Sequence, residues 1–297
     1  MAELIQWYPG HIAKAQRQLQ DQLQRVDVVL EVLDARIPRA SRHPDLHTWI
    51  GSKPTLTILN RLDQVPPEAL QQWQQWFRRQ GALVLTANGQ TGAGIPAIKQ
   101  GILRLGEEVN QRRRQRGMLP RPIRAVVIGF PNVGKSALLN RLLGRRVVTS
   151  ARRPGVTRQL QWVRLGGDLD LLDAPGILPP VLTDQEAAVK LAICDDIGSA
   201  SYGADAVALY LLRLIFSQHP QLIPPLQTRY GWDNGDPQGW LLHLAQQRYQ
   251  GDTTRAGQQI LKDFRRGHWG PLILELPPDL KPENSILDNT STLRDPR

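Results

Sequence analysis

Apolar residues in the first 180 positions fall into short solid runs alternating with stretches of helical spacing. Val28 to Leu33, Thr55 to Leu59, Leu83 to Leu85 and Ala125 to Ile128 read as buried strands. Between them, residues from about His11 to Arg25 bring Ile12, Leu19, Leu23 and Val26 near one stripe and predict a Gln-rich amphipathic helix. Pro66-Pro67 opens a second helix with Leu70, Trp73 and Phe77 inward, and residues 94–108 form a third. A fourth runs from Ala137 to Leu143 with Gly144 as its stop. Leu160 to Leu165 and Leu169 to Leu172 flank Gly166-Gly167-Asp168 as a hairpin. Strands mixed with helices of this size predict an α/β fold, a mostly parallel sheet covered on both faces.

After Pro179-Pro180 the pattern turns helical, with segments at about 184–197, 204–216, 237–249 and 253–265, the last opening on Thr253 as an N-cap. One further strand is expected at Leu272 to Leu274. The polar, proline-containing tail from Pro277 is expected to be disordered. The expected organisation is an α/β domain over residues 1–179, a small all-α domain over 180–275 and a tail over 276–297.

Composition narrows the class. The single cysteine, Cys194, excludes an internal disulfide and a Cys-based zinc site. The longest apolar run, Ala206 to Phe216, contains Arg213 and is too short to span a bilayer, so a cytoplasmic protein without a membrane partner is expected. Net charge is +10, and residues 101–165 carry fifteen Arg or Lys against only Glu107 and Glu108. Such a concentration matches a phosphate-rich polymer, since each contact releases counterions; a solvated basic face or attraction to anionic lipid are the other readings. The arginines at 112–116 are expected in a solvated connector leading to the next strand.

The chemistry begins at Gly129-Phe-Pro-Asn-Val-Gly-Lys-Ser136, a complete G-x-x-x-x-G-K-S sequence between a strand and a helix. In that context the loop N–H groups, Asn132, Val133 and Gly134 included, cradle phosphate oxygens, and the loop continues into Ala137 at the start of the helix. Lys135 supplies a point charge to the outer phosphates, and the Ser136 hydroxyl can take one position on Mg²⁺. The other reading is a glycine turn before a helix. Asn60-Arg61-Leu62-Asp63 follows a strand, where the Asp63 carboxylate can accept two hydrogen bonds from N1–H and the 2-amino group of guanine. Adenine offers no such pair. Thr86-Ala87-Asn88 ends the next strand, where a backbone N–H could reach guanine O6. Thr157 offers a second Mg²⁺ hydroxyl, Asp173 can hold a metal-bound water, and the Gly176 N–H can meet the γ-phosphate. Each short match is weak alone; together they point to GTP and GDP as ligands with Mg²⁺.

These five segments are the signatures of GTPases in a rearranged order: the two base-reading segments precede the phosphate loop and its switches. That order defines circularly permuted GTPases. With Trp7-Tyr-Pro-Gly-His-Ile-Ala-Lys-Ala15 and Asp34-Ala-Arg-Ile-Pro38, the chain resembles the ribosome biogenesis GTPase A family, closely over residues 6–178 and loosely beyond. The resemblance implies a circularly permuted P-loop GTPase domain followed by a helical RNA-binding domain. It further implies slow GTP hydrolysis to GDP, acting late in assembly of the large ribosomal subunit with its rRNA as partner. The departures are Arg61 for the usual Lys, Thr86 for Ser and Ala137 for Thr.

Ile177 and Leu178 follow Gly176, where many GTPases carry a Gln that positions water. Hydrolysis is therefore expected to be slow alone and stimulated by the large subunit. The family's Pro-Gly-His motif makes His11 the catalytic candidate, an RNA contact being its alternative role. Asn132 matches the asparagine that ligates K⁺ in several related GTPases. A plain RNA-binding factor with structural GTP, and an RNA-modifying enzyme, are the competing function classes.

Overall fold

A computed structural model of the chain describes residues 12–144, 161–174, 176, 179, 182–231 and 236–280. The strands are β1 (Val28–Asp34), β2 (Thr55–Asn60), β3 (Leu83–Ala87), β4 (Ile123–Ile128), β5 (Gln161–Leu165) and β6 (Leu169–Asp173). They form one sheet in the order β3-β2-β1-β4-β6-β5. All are parallel except β5, which returns antiparallel to β6 as the expected hairpin. The connection from β3 to β4 crosses over β2 and β1, so the direction of winding reverses between β1 and β4. A reversal of this kind opens a crevice at the C-terminal strand ends, where ligands bind in open α/β sheets.

Helices cover both faces. Helix α1 (Ile12–Leu23) places Leu19 and Leu23 against Val29, Val126 and Leu172, alongside the short α2 (Leu46–Ile50). On the same side α3 (Pro67–Arg79) packs Trp73 and Phe77 over Leu33, Leu59 and Val84. The opposite face carries α4 (Ile95–Gln115) and α5 (Lys135–Leu143), whose Ile98, Ile102, Leu138 and Leu139 meet Val28, Leu30, Leu56 and Val127. Burial on both faces explains why the central strands read as solid apolar runs.

The second half is helical: α6 (Gln185–Ile193), α7 (Ala204–Gln218), α8 (Ile223–Tyr230), α9 (Pro237–Tyr249) and α10 (Thr253–Arg265). One apolar cluster continues from the α4 and α5 face of the sheet into these helices. Among the described residues, no helix is long and apolar enough to cross a membrane.

Several expectations change. The arginines at 112–115 lie in the last turns of α4, not in a connector, because Asn110 bonds Arg121 through both its amide groups and holds the helix end against the next segment. Asp252, rather than Thr253, caps α10, its carboxylate accepting from Arg255 N at 3.0 Å. Leu272 to Leu274 forms no strand: Leu272 N donates to Gln64 O and Leu274 N to Arg36 O, fastening an extended strap across the sheet domain. Helix α8, opening on prolines, was not apparent from the pattern. Of the expected tail, residues 276–280 are described, with Asp279 paired to Arg79 at 2.7 Å; the rest lies outside the described residues.

Helices α7 and α10 approach closely at Gly257, where an added Cβ would stand 2.6 Å from Ala204 O. Gly257→Ala gains about 1 kcal/mol of helix propensity but forces rigid backbones apart at about 1–3 kcal/mol. The expected result is a net loss of up to about 2 kcal/mol, read as a lower midpoint in urea unfolding. A midpoint above wild type would show that propensity wins.

Candidate nucleotide site

The parallel register puts the C-terminal ends of β2, β3, β4 and β6 at one edge of the sheet, and the sequence-singled segments follow those ends. Residues 129–134 form the turn from β4 into α5. A Cβ on Gly129 would lie 2.4 Å from Val32 O, and one on Gly176 2.6 Å from the Pro131 backbone. Glycine is thus required where the loop rests on β1 and where the Asp173–Gly176 segment crosses it. Lys135 is buried and donates to Gly129 O at 3.1 Å and Phe130 O at 2.8 Å. Burial lowers its pKa to about 8, while Asp173 and Asp196 pull the other way. Ser136 and Ala137 are half-buried on the first turn of α5, with Val133 buried beneath the loop. Asp173 ends β6, almost wholly buried.

Asn60 ties the turn after β3 to the loop after β4. Its Oδ1 accepts from Gly89 N at 3.0 Å and its Nδ2 donates to Val133 O at 2.8 Å. A Cβ on Gly134, whose φ is 101°, would lie 2.1 Å from that Nδ2, so the amide sits directly on the phosphate loop. Asn88 is buried and accepts from Gln90 N and Thr91 N, so its side chain shapes the turn after β3. Arg141 on α5 also donates to Gln90 O. Gly94 packs on Thr86 O, and Ala87 is fully buried behind it. Asp63 is exposed on the turn after β2.

Arg61 has a role its residue type alone did not disclose. In the left-handed conformation at φ 68°, it donates from Nη2 to Asn132 O at 2.6 Å and places Nε 3.1 Å from Asp34 Oδ2. A lysine could satisfy one of these partners, whereas the guanidinium fork reaches both. Asp34, fully buried at the end of β1, also grips Arg36 through both carboxylate oxygens at 2.9 and 2.7 Å. Burial pushes the Asp34 carboxyl up, and the Arg36 and Arg61 charges beside it more than reverse that, holding it below the usual carboxylate range.

From this pair the contacts run into the helical half. Arg36 Nη2 donates to Cys194 O at 3.2 Å, and its guanidinium lies over the Phe264 ring. Asn132 Nδ2 donates to Asp195 O at 2.7 Å. Arg265 donates to Ile193 O and Ala192 O, the last carbonyls of α6, and pairs with Asp195 at 3.3 Å. Glu275 accepts from Arg39 N and Ala40 N. Asp196 is fully buried with neither carboxylate oxygen hydrogen-bonded. Burial, and then the neighbouring Asp34, push its pKa well above the ordinary value, against Arg61 and Arg36. Burial likewise raises the Cys194 thiol, which is therefore no nucleophile. Sequence reading named Asp34 and Arg36 without a role and missed Asp195, Asp196 and Arg265. The adjacent acidic pair after an apolar helix was the available signal. His11 and Thr157 lie outside the described residues, as does Ile177. Among the described residues, no cluster of three or more metal-ligating side chains is found.

The two buried carboxylates carry opposite pH signatures. Asp34, lowered in the folded chain, contributes stability above its unfolded pKa that is lost as pH falls through the folded one. Asp196, raised, favours the folded state in acid, and that contribution is lost as pH climbs out of the unfolded carboxylate range. Asp34→Asn is expected to cost about 3–5 kcal/mol at pH 7 by stranding the buried Arg36 guanidinium and taking the half-buried Arg61 off its partner. Asp196→Asn should raise the unfolding midpoint near pH 8 and be neutral near pH 4. Denaturation at both pH values checks each; a stabilised Asp34→Asn or an Asp196→Asn gain confined to acid would contradict the assignments.

With this geometry in place, comparison with known proteins is informative. Residues 124–220 match the family model described as 50S ribosome-binding GTPase. The GNP-bound YlqF of T. maritima shares the fold at a TM-score of 0.62 and 23% identity, covering 89% of this chain and 99% of that one. The ribosome biogenesis GTPase A of Priestia megaterium is 41% identical over 76% of this chain and 78% of its own length. That of Bacillus pumilus is 36% identical over 92% and 99%. Identity at this level over nearly the full length of both chains shows that this protein belongs to the ribosome biogenesis GTPase A family, the GTP-binding and GTP-hydrolysing proteins that its rearranged signature segments resemble.

Proposed function

We propose that this GTPase serves assembly of the large ribosomal subunit, binds rRNA, and passes its nucleotide state to the helical half of the chain. The observation that supports this most is the run of contacts from the phosphate loop to the helical half: Asn132 to Asp195, and Arg61 through Asp34 and Arg36 to Cys194. Loss of the γ-phosphate loosens switch segments in GTPases. Here the Asp173–Gly176 segment rests on the same loop and runs directly into the helices. Family membership supports the ribosomal role, and the basic stretch at 101–165 supports RNA as the surface met. The working compartment is the cytoplasm.

In this reading Asp63 takes the guanine N1–H and 2-amino group, and Asn60 holds the base loop to the phosphate loop. Thr86, Ala87 and Asn88 present the backbone to O6. Val133, Gly134, Lys135, Ser136 and Ala137 surround the phosphates, with Gly176 meeting the γ-phosphate. Ser136, Thr157 and Asp173, the last through water, hold Mg²⁺, which neutralises charge on the phosphates. The buried lysine and the glycine cradle suit such a ligand, since neither would be needed in an ordinary strand-to-helix turn. Asn132, its amide N–H committed to Asp195 O, keeps Oδ1 as the acceptor for K⁺.

Two experiments test this reading. GTP should bind at least about two orders of magnitude more tightly than ATP, with Asp63→Asn shifting preference toward xanthine nucleotide; equal binding of GTP and ATP removes the guanine assignment. GTP turnover should rise on adding purified large, but not small, subunits, and should be faster in K⁺ than in Na⁺ at fixed ionic strength. His11→Ala should cut the stimulated rate about ten-fold or more, within the range of acid–base or positioning roles, with subunit binding nearly intact. Full stimulated turnover in that variant assigns the water to another group; equal rates in the two salts make Asn132 a loop residue only.

A further inference from the structure

A second cavity, far from the nucleotide site, has the composition of a base-stacking site. Its volume is about 490 Å³, and it is lined by Arg25, Arg124, Trp162, Arg164 and Asp170. That size falls within the roughly 300–1,000 Å³ typical of small-ligand clefts. It lies near the end of α1, where Leu19 and Leu23 pack with Val126 and Leu172, and takes in the edge strand β5. Register aligns Arg124 and Arg164 on either side of Asp170, with Trp162 opposite Leu172 on the same face. From α1, Gln22 Oε1 accepts from the Trp162 indole N–H at 3.4 Å.

Among the described residues, Trp162 is one of the few large apolar side chains left exposed, at 38%. The Arg124 guanidinium stands 6.0 Å from its ring centroid, at the outer limit of a cation–π contact. Arg25 is exposed, and Arg164 is 79% exposed, held to Asp170 only loosely at 3.5 Å. An exposed indole bordered by solvent-facing guanidiniums suits a planar base carried on a phosphate backbone. Asp170 argues for a base over a bare phosphate, because a carboxylate repels phosphate yet accepts from base amino groups. The charge of the neighbourhood favours a polymer. Three of the five lining residues, Arg25, Arg124 and Arg164, are arginines.

We infer that this cavity takes an unpaired RNA nucleotide, its base on Trp162 and its flanking phosphates on Arg25 and Arg164. The inference rests on the RNA-binding reading proposed above and supplies a place for it. Arg124 lies about 15 Å along β4 from the phosphate loop at the ordinary strand rise, so the cavity is separable from GTP chemistry.

The test uses the full chain, a fluorescein-labelled single-stranded RNA of mixed sequence, purified large subunits, and free AMP and GMP as competitors. Trp162→Ala should weaken binding of the labelled RNA about five-fold or more, the low end of what one base–aromatic stack contributes. Trp162→Phe should restore most of it. Arg164→Gln should flatten the salt dependence by about 0.7 in logarithmic slope, as expected for one phosphate contact to a single strand. Basal GTP turnover should stay at the wild-type value in all three. Wild-type RNA affinity in both Trp162→Ala and Arg164→Gln overturns the site while leaving the RNA reading standing. Failure of the unaltered protein to bind either RNA or large subunits overturns that reading itself. Displacement of the RNA by free AMP or GMP at micromolar concentration makes the cavity a mononucleotide site and overturns the polymer assignment.

Discussion

A carboxylate that stays ionised away from water needs positive charge beside it, and Asp34 meets that demand with two guanidiniums drawn from different loops. Arg36 turns back two residues to form a bidentate pair, and Arg61 arrives from the end of the neighbouring strand. Because each guanidinium has donors to spare, both continue onward, Arg61 to the phosphate loop and Arg36 to the end of α6. The loop after β2, the phosphate loop and the helical half therefore share one buried charge. Displacing any of the three strains a contact that solvent cannot replace.

This arrangement gives a physical sense to the order of the segments. In the permuted chain the switch segment ends the sheet domain, and the helices begin within a few residues of it. The helices then return through an extended strap, with Glu275 on the backbone of Arg39 and Ala40 and the Trp73 indole N–H on Glu275 O. The helical half is thus attached beside the nucleotide edge at two places, the loop after α6 and the strap after α10. Arg265 joins the first of these, holding the carbonyl end of α6 where a cation is favourable. Asp196 adds a buried carboxyl without a hydrogen bond at the same junction, a local cost set against the many contacts around it.

Much of the molecule was legible from local pattern. The sheet strands and most helices followed from periodicity, and Gly144 stopped α5 as read, in the left-handed conformation at φ 65°. Where the reading failed, a distant partner had decided. Leu272 to Leu274 has the residue types of a strand, yet its N–H groups found single carbonyls at Gln64 and Arg36 rather than a ladder. The arginines after Gln111 look like a solvated linker, but α4 carries them as its last turns. Asp252 precedes Thr253 with an equally good capping group, and only backbone geometry chose between them.

The candidate site divides the same way. A phosphate loop is a local object: its glycines, lysine and following helix act through backbone N–H groups of neighbouring residues, so Gly129 to Ser136 declared its chemistry unaided. The identity of the base could also be argued from one exposed carboxylate after one strand. By contrast, nothing in the residue type of Arg61 says that it joins Asp34 to Asn132 O, nor in Arg36 that it reaches Cys194. Those bonds exist because the parallel sheet sets the ends of β1, β2 and β4 side by side and the helices pack back against them. Sequence by itself singled out the candidate groups for a guanine nucleotide, since that chemistry lies within single turns of chain. Tertiary structure decided which of them are wired to the helical half, since a buried charge takes its partners from whatever the fold brings within hydrogen-bond reach.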